Sequence, residues 1–176
     1  MNTPTHIAGG ACLAMALVCV CSPVAQSRTR VAAVAAGALG VGVVVHLLLD
    51  LIPHFAWVVY LEGFKPLPFH WLLREAALGL AVALPALALS GRAWPYVALG
   101  MAGGLYPDVE KVLSVDFHVP DRFILFGWHS LGVSNRTAGL PKAVLIAGEC
   151  LLLAGFLFAM WRMKNRASSA GAAGGG

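Results

Sequence analysis

Charge is scarce in this sequence: only 11% of its 176 residues are Asp, Glu, Lys or Arg, where soluble domains carry ~25%. With 59% apolar residues and a mean hydropathy of +0.80, too few polar groups remain to clothe a water-facing surface. The class that fits is an all-α, polytopic helical membrane protein. No Lys or Arg precedes the first apolar run and no small-x-small cleavage site follows it, so a retained helix is expected rather than a signal peptide. The four cysteines, at 12, 19, 21 and 150, lack Cys-x-x-Cys spacing. They therefore read as small buried hydrophobes, not as a zinc or disulfide framework. Basic residues are not interleaved with aromatics, so nucleic acid is not an expected partner; the net charge of +4 fits membrane topology and lipid headgroups. Also missing are Gly-x-Ser-x-Gly, a phosphate-binding P-loop, a Gly-x-Gly-x-x-Gly after a strand, and His-Glu-x-x-His. Their absence excludes the commonest serine hydrolase, nucleotide and zinc-protease signatures.

What is present is a series of apolar runs. They predict a single membrane domain over residues 1–166 with about five spans, near 6–22, 31–52, 71–90, 94–106 and 142–161. Pro53 and Pro107 are expected to end or break their helices, because proline lacks an N–H and its ring clashes with the carbonyl four residues back. Residues 107–141 read as one long interfacial loop, and the Gly/Ala/Ser tail at 167–176 as disordered. Gly37, Gly40 and Gly42 should give the second span a smooth face for close helix approach, with Gly100, Gly103 and Gly104 doing the same for the fourth.

The second span carries the centre of interest, His-Leu-Leu-Leu-Asp-Leu-Ile-Pro-His at 46–54. Ionisable groups inside a membrane segment are costly and mark functional sites. His46 and Asp50 lie about 40° apart in azimuth and roughly 6 Å apart in rise, on one helix face. An imidazole and a carboxylate so placed can share a divalent metal ion, or can simply hydrogen-bond two helices together. His54 lies roughly 12 Å along an ideal helix from His46 and joins it only if the chain breaks at Pro53. Asp108 follows a Gly-Gly-Leu-Tyr-Pro approach; Glu110, two residues on, reads as a second ligand, a general base or a surface group. His129 reads as a ligand or an interfacial residue, and His70 and His118, beside aromatics, as interfacial.

With five spans, helix parity puts all six histidines on one side of the membrane, with no acid in the opposite loops. The Arg and Lys residues at 28, 30, 92, 162, 164 and 166 then favour a cytoplasmic C-terminus and an outward-facing site.

Thr-Pro-Thr-His at 3–6, His-x-x-x-Asp-x-x-Pro-His at 46–54, Gly-x-x-Pro-Asp-x-Glu at 104–110 and His-Ser at 129–130 together resemble the membrane-bound metal-dependent hydrolase-like family. These are small integral proteins of bacterial and archaeal inner membranes. The resemblance implies a cell inner membrane location and polar or metal-binding roles for His6, His46, Asp50, His54, Asp108 and His129. Departures are Lys111, where that family commonly has a histidine, and the reduction of its paired late histidines to His129. The function expected is hydrolysis of an amphiphilic ester or phosphoester at the membrane face. In it, His6, His46, Asp50 and Asp108 would hold zinc or manganese, and Glu110 or His129 would act as general acid or base. A transporter or proton relay built from the same residues, and a non-catalytic membrane scaffold, are the competing readings.

Overall fold

A run of apolar residues in a medium without water must satisfy its backbone internally, and the helix does so within one segment. The computed structural model describes residues 3–21, 28–52, 69–115, 117–126 and 141–173, and among these there are helices and no strand. The helices are α1 (Thr3–Cys21), α2 (Arg28–Leu49), α3 (Phe69–Ser90), α4 (Trp94–Val115) and α5 (Lys142–Ala173). Four stretches are long and apolar enough to cross a membrane: Thr3–Cys21, Arg28–Leu49, Leu72–Ser114 and Lys142–Arg166. The sequence reading of about five counts one more. The difference lies at Gly91–Ala93, where a single 3₁₀ turn joins α3 directly to α4. Gly91 has φ +53° there, a left-handed conformation that costs glycine nothing. The start of α3 and the end of α4 line one cavity, so the two helices run antiparallel.

α1 occupies the middle of the bundle. It packs against α2, α3, α4 and α5, and more than half of it is buried, against about a fifth of the other spans. Its core residues Ile7, Ala8, Ala11, Cys12 and Met15 meet Val97 and Met101 of α4, Val82 and Ala86 of α3, and Met160 of α5. Large apolar side chains such as Leu48, Leu84, Leu151 and Phe158 point outwards and stay exposed. That apolar exterior is the mark of helices that meet lipid rather than water.

Small residues set the helix spacing. A Cβ at Gly10 or Gly42 would overlap the Gly100 carbonyl oxygen, and one at Gly103 the Leu39 carbonyl; one at Gly104 would lie 2.5 Å from the His6 carbonyl oxygen. Backbone thus meets backbone where α4 crosses α1 and α2. The smooth face expected of Gly37, Gly40 and Gly42 is not one face. Gly42 meets α4, Gly40 has open space beside it, and Gly37 faces only Leu17, because a step of two residues turns the helix by about 200°.

Two boundaries differ from the sequence reading. Pro107 does not end the fourth segment: α4 continues through Asp108 and Glu110 to Val115. A proline inside a membrane helix is tolerated where neighbouring helices re-satisfy the freed backbone, and here Gly103 and Gly104 below it permit close packing on two sides. The helix then terminates with His118 in the left-handed region (φ 54°) and the Val119 N–H donating to the Leu113 carbonyl at 3.0 Å. The tail expected to be disordered from 167 is helical to Ala173. Alanine is the best helix former, and the Ser169 hydroxyl donates to the Asn165 carbonyl at 3.0 Å.

Candidate metal centre

Four polar side chains from three helices meet at one end of α1. His6 lies in the first turn of α1, His46 in the last turn of α2, Asp50 at its end, and Asp108 in α4 one residue past Pro107. All four are at most 4% exposed. His6 lies between the two carboxylates, with Nε2 3.1 Å from Asp50 Oδ1 and Nδ1 3.5 Å from Asp108 Oδ2. His46 Nε2 is 3.4 Å from Asp50 Oδ2, and the two imidazole rings stand 3.9 Å apart between centroids, tilted by 52°.

The orientation of His46 is fixed by the backbone. Its Nδ1 lies 2.7 Å from the Gly104 carbonyl oxygen, and a carbonyl only accepts, so Nδ1 carries the proton and donates. Nε2 then faces Asp50 either with a second proton or with a lone pair. A lone pair aimed at a carboxylate oxygen is repulsive unless a cation lies between them. A metal-ligating histidine that gives its other N–H to a backbone carbonyl has the same arrangement.

The three nitrogen–oxygen separations run from 3.1 to 3.5 Å and use both nitrogens of His6 and both oxygens of Asp50, so they describe a linked cluster rather than the shell of one ion. One atom each from His6, His46 and Asp108 falls within 4.8 Å of the others. His6 faces the two carboxylates through different nitrogens.

Lys111 also reaches the site, which the sequence reading did not anticipate. It is 6% exposed and interacts electrostatically with Asp108 and Asp50. Ending the helix at Tyr106 hid this: once α4 continues, Lys111 is three residues past Asp108 and shares its face. Two carboxylates, Lys111 and two imidazoles thus share one buried cluster. Gly104, read only as a packing residue, contributes its carbonyl. The Asp108-to-Lys111 spacing was the available signal for the lysine; nothing in the sequence pointed to the carbonyl.

Glu110 turns away from this cluster, since two residues on a helix point about 200° apart. Its carboxylate accepts backbone N–H groups from Leu125 at 3.0 Å and Phe126 at 2.7 Å. It therefore anchors the segment that returns past the 3₁₀ turn Asp121–Phe123, and the ligand or general-base role considered for it is not what these contacts support. Hydrogen bonds to a charged acceptor contribute about 1.5–3 kcal/mol. Glu110→Ala should accordingly speed amide exchange at Leu125 and Phe126 by at least tenfold while leaving His46 and its neighbours protected, measured by hydrogen–deuterium exchange in detergent. His70 and His118 are exposed at the ends of α3 and α4. His54 and His129 lie outside the described residues. Compared with protein-family models, curated proteins and solved structures, the chain has no match.

Proposed function

We propose that this is a multi-pass membrane protein, with α3 and α4 as separate crossings and five in all, whose His6, His46, Asp50 and Asp108 hold one divalent cation for hydrolysis. The observation that carries this reading is the Gly104 carbonyl on His46 Nδ1, which turns Nε2 toward the Asp50 carboxylate in a buried pocket. A bound zinc or manganese ion would supply an activated water and a Lewis acid for an ester or phosphoryl oxygen. The chain's own residues position and balance: Asp50 holds both imidazoles, Lys111 offsets one carboxylate, and Glu110 fastens the segment beyond α4. His129 is the residue left for the general acid or base role. An amphiphilic ester or phosphoester of the cell inner membrane fits a polar cluster at the end of a lipid-facing bundle.

The test is elemental analysis of protein purified without added metal, with zinc and manganese read together. One equivalent per chain is expected. Stoichiometry below one tenth, persisting after incubation with either ion, rules the reading out.

A second reading rests on its own observation. His6 contacts Asp50 through Nε2 and Asp108 through Nδ1, an arrangement that can pass a proton from one carboxylate to the other. That reading is a proton or ion relay; it predicts pH-driven flux in vesicles, lost in His6→Ala, from a protein that contains no metal.

A further inference from the structure

Asp108 faces two ways. Besides His6, it borders a cavity of about 450 Å³ between α1, α3 and α4, a volume within the ~300–1,000 Å³ range of small-molecule sites. The walls are apolar, formed by residues such as Ile7, Leu80, Leu105, Val112 and Phe117. Three polar residues interrupt them: Thr3, Glu75 and Asp108. Each is at most 6% exposed. Thr3 Oγ1, both Glu75 oxygens and Asp108 Oδ2 make no hydrogen bond among the described residues.

Glu75 is the unexpected member. Its neighbour Arg74 forms a long ion pair with it, a guanidinium nitrogen 3.8 Å from Oε1; that is beyond hydrogen-bonding distance, so both buried oxygens lack a hydrogen-bond donor among the described residues. A carboxylate buried in a membrane helix needs a donor. The cavity supplies hydrocarbon contact everywhere else, so its complement has an apolar body and a polar end that donates. A ligand ending in a carboxylate would instead set like charge against Glu75 and Asp108.

We infer that this cavity binds a single-chain acyl amphiphile, its tail between α3 and α4 and its hydroxyl- or ammonium-bearing end donating to Glu75. The acyl linkage then lies beside Asp108, at the edge of the metal cluster. This deepens the proposed function by naming the substrate class and rests on it for cleavage, while binding itself requires no metal.

The probes are radiolabelled 1-monopalmitoylglycerol and palmitate, with the same tail and opposite polar ends. Equilibrium binding is measured on the purified full chain at constant maltoside detergent. Saturable binding of one equivalent of the monoacylglycerol is expected, with palmitate at least tenfold weaker. Glu75→Gln, which keeps the side-chain shape, should reduce that preference below threefold. Ala76→Phe, which fills the cavity from α3, should weaken the monoacylglycerol at least tenfold. Equal affinity for the two probes in the native protein, or full binding and preference in both variants, overturns the inference. Repeating the measurement after chelation separates the two proposals. Preferential binding by metal-free protein supports the inference even where the metal reading fails, whereas metal at full stoichiometry without preferential binding overturns it alone.

Discussion

Replacing Asp50 with Asn is expected to strip the divalent ion from a protein that still folds. Asn keeps the shape and one carbonyl oxygen to face the two imidazoles, but removes the charge that offsets a cation in this pocket. Changes outside the ligand shell typically cost 10–100-fold in metal affinity, so a direct ligand should cost more than about a hundredfold. Asp50 is within 3.4 Å of both His6 and His46. The measurement is metal content after dialysis against a buffered free-zinc series, alongside detergent melting of the same samples. Glu110→Gln is the matched control, because that carboxylate serves Leu125 and Phe126; it should retain its metal. Retention by Asp50→Asn would mean that the ion, if present, sits elsewhere.

The second large effect is expected from a single methyl group. Gly→Ala inside a helix ordinarily stabilises by about 0.5–1 kcal/mol. Gly40 should follow that rule, since its Cβ would enter open space. Gly42, two residues on, should reverse it. Its Cβ would overlap the Gly100 carbonyl oxygen and lie 2.8 Å from the Gly104 nitrogen, and backbone atoms cannot rotate aside as a side chain does. Overpacking costs typically 1–3 kcal/mol where side chains adjust; with backbone on both sides about 3 kcal/mol or more is expected. The same displacement moves Gly104 away from His46, so Gly42→Ala should lose metal along with stability. Paired denaturation of the two variants in mixed micelles tests this: opposite signs are expected, and similar small effects would show that α2 and α4 do not pack backbone to backbone.

Some of this was legible in the sequence. Two dozen apolar residues around a few charges specify membrane helices almost without regard to detail, and the His46–Asp50 spacing defines a shared helix face by geometry alone. His6 and Asp108 were reachable through their place at helix ends and their family resemblance. The limits had definite causes. Proline at 107 argues for a helix end in water, but flanking helices override that preference here, and the mistaken end at Tyr106 concealed Lys111. Glycine spacing at 37, 40 and 42 suggested one contact face, whereas only the neighbour's backbone decides which glycine is touched. Hydrogen bonds such as Glu110 to the Leu125 and Phe126 amides join segments whose approach no local pattern encodes. Helix identity is a local property; the committed state of a carboxylate is not.

The central position of α1 imposes an order in time. It leaves the ribosome before the other described helices, and Asp108 is roughly a hundred residues downstream of His6. At ~5–20 residues per second, His6 waits about 5–20 s for the second of its two carboxylates. Through that interval the most buried helix of the finished bundle is covered by α2 and then α3, without α4 or α5. Until α4 arrives, the nascent chain holds an imidazole pair and a single acid, a weaker and more open trap for metal than the completed centre. Under the proposed reading, ion capture would wait for α4.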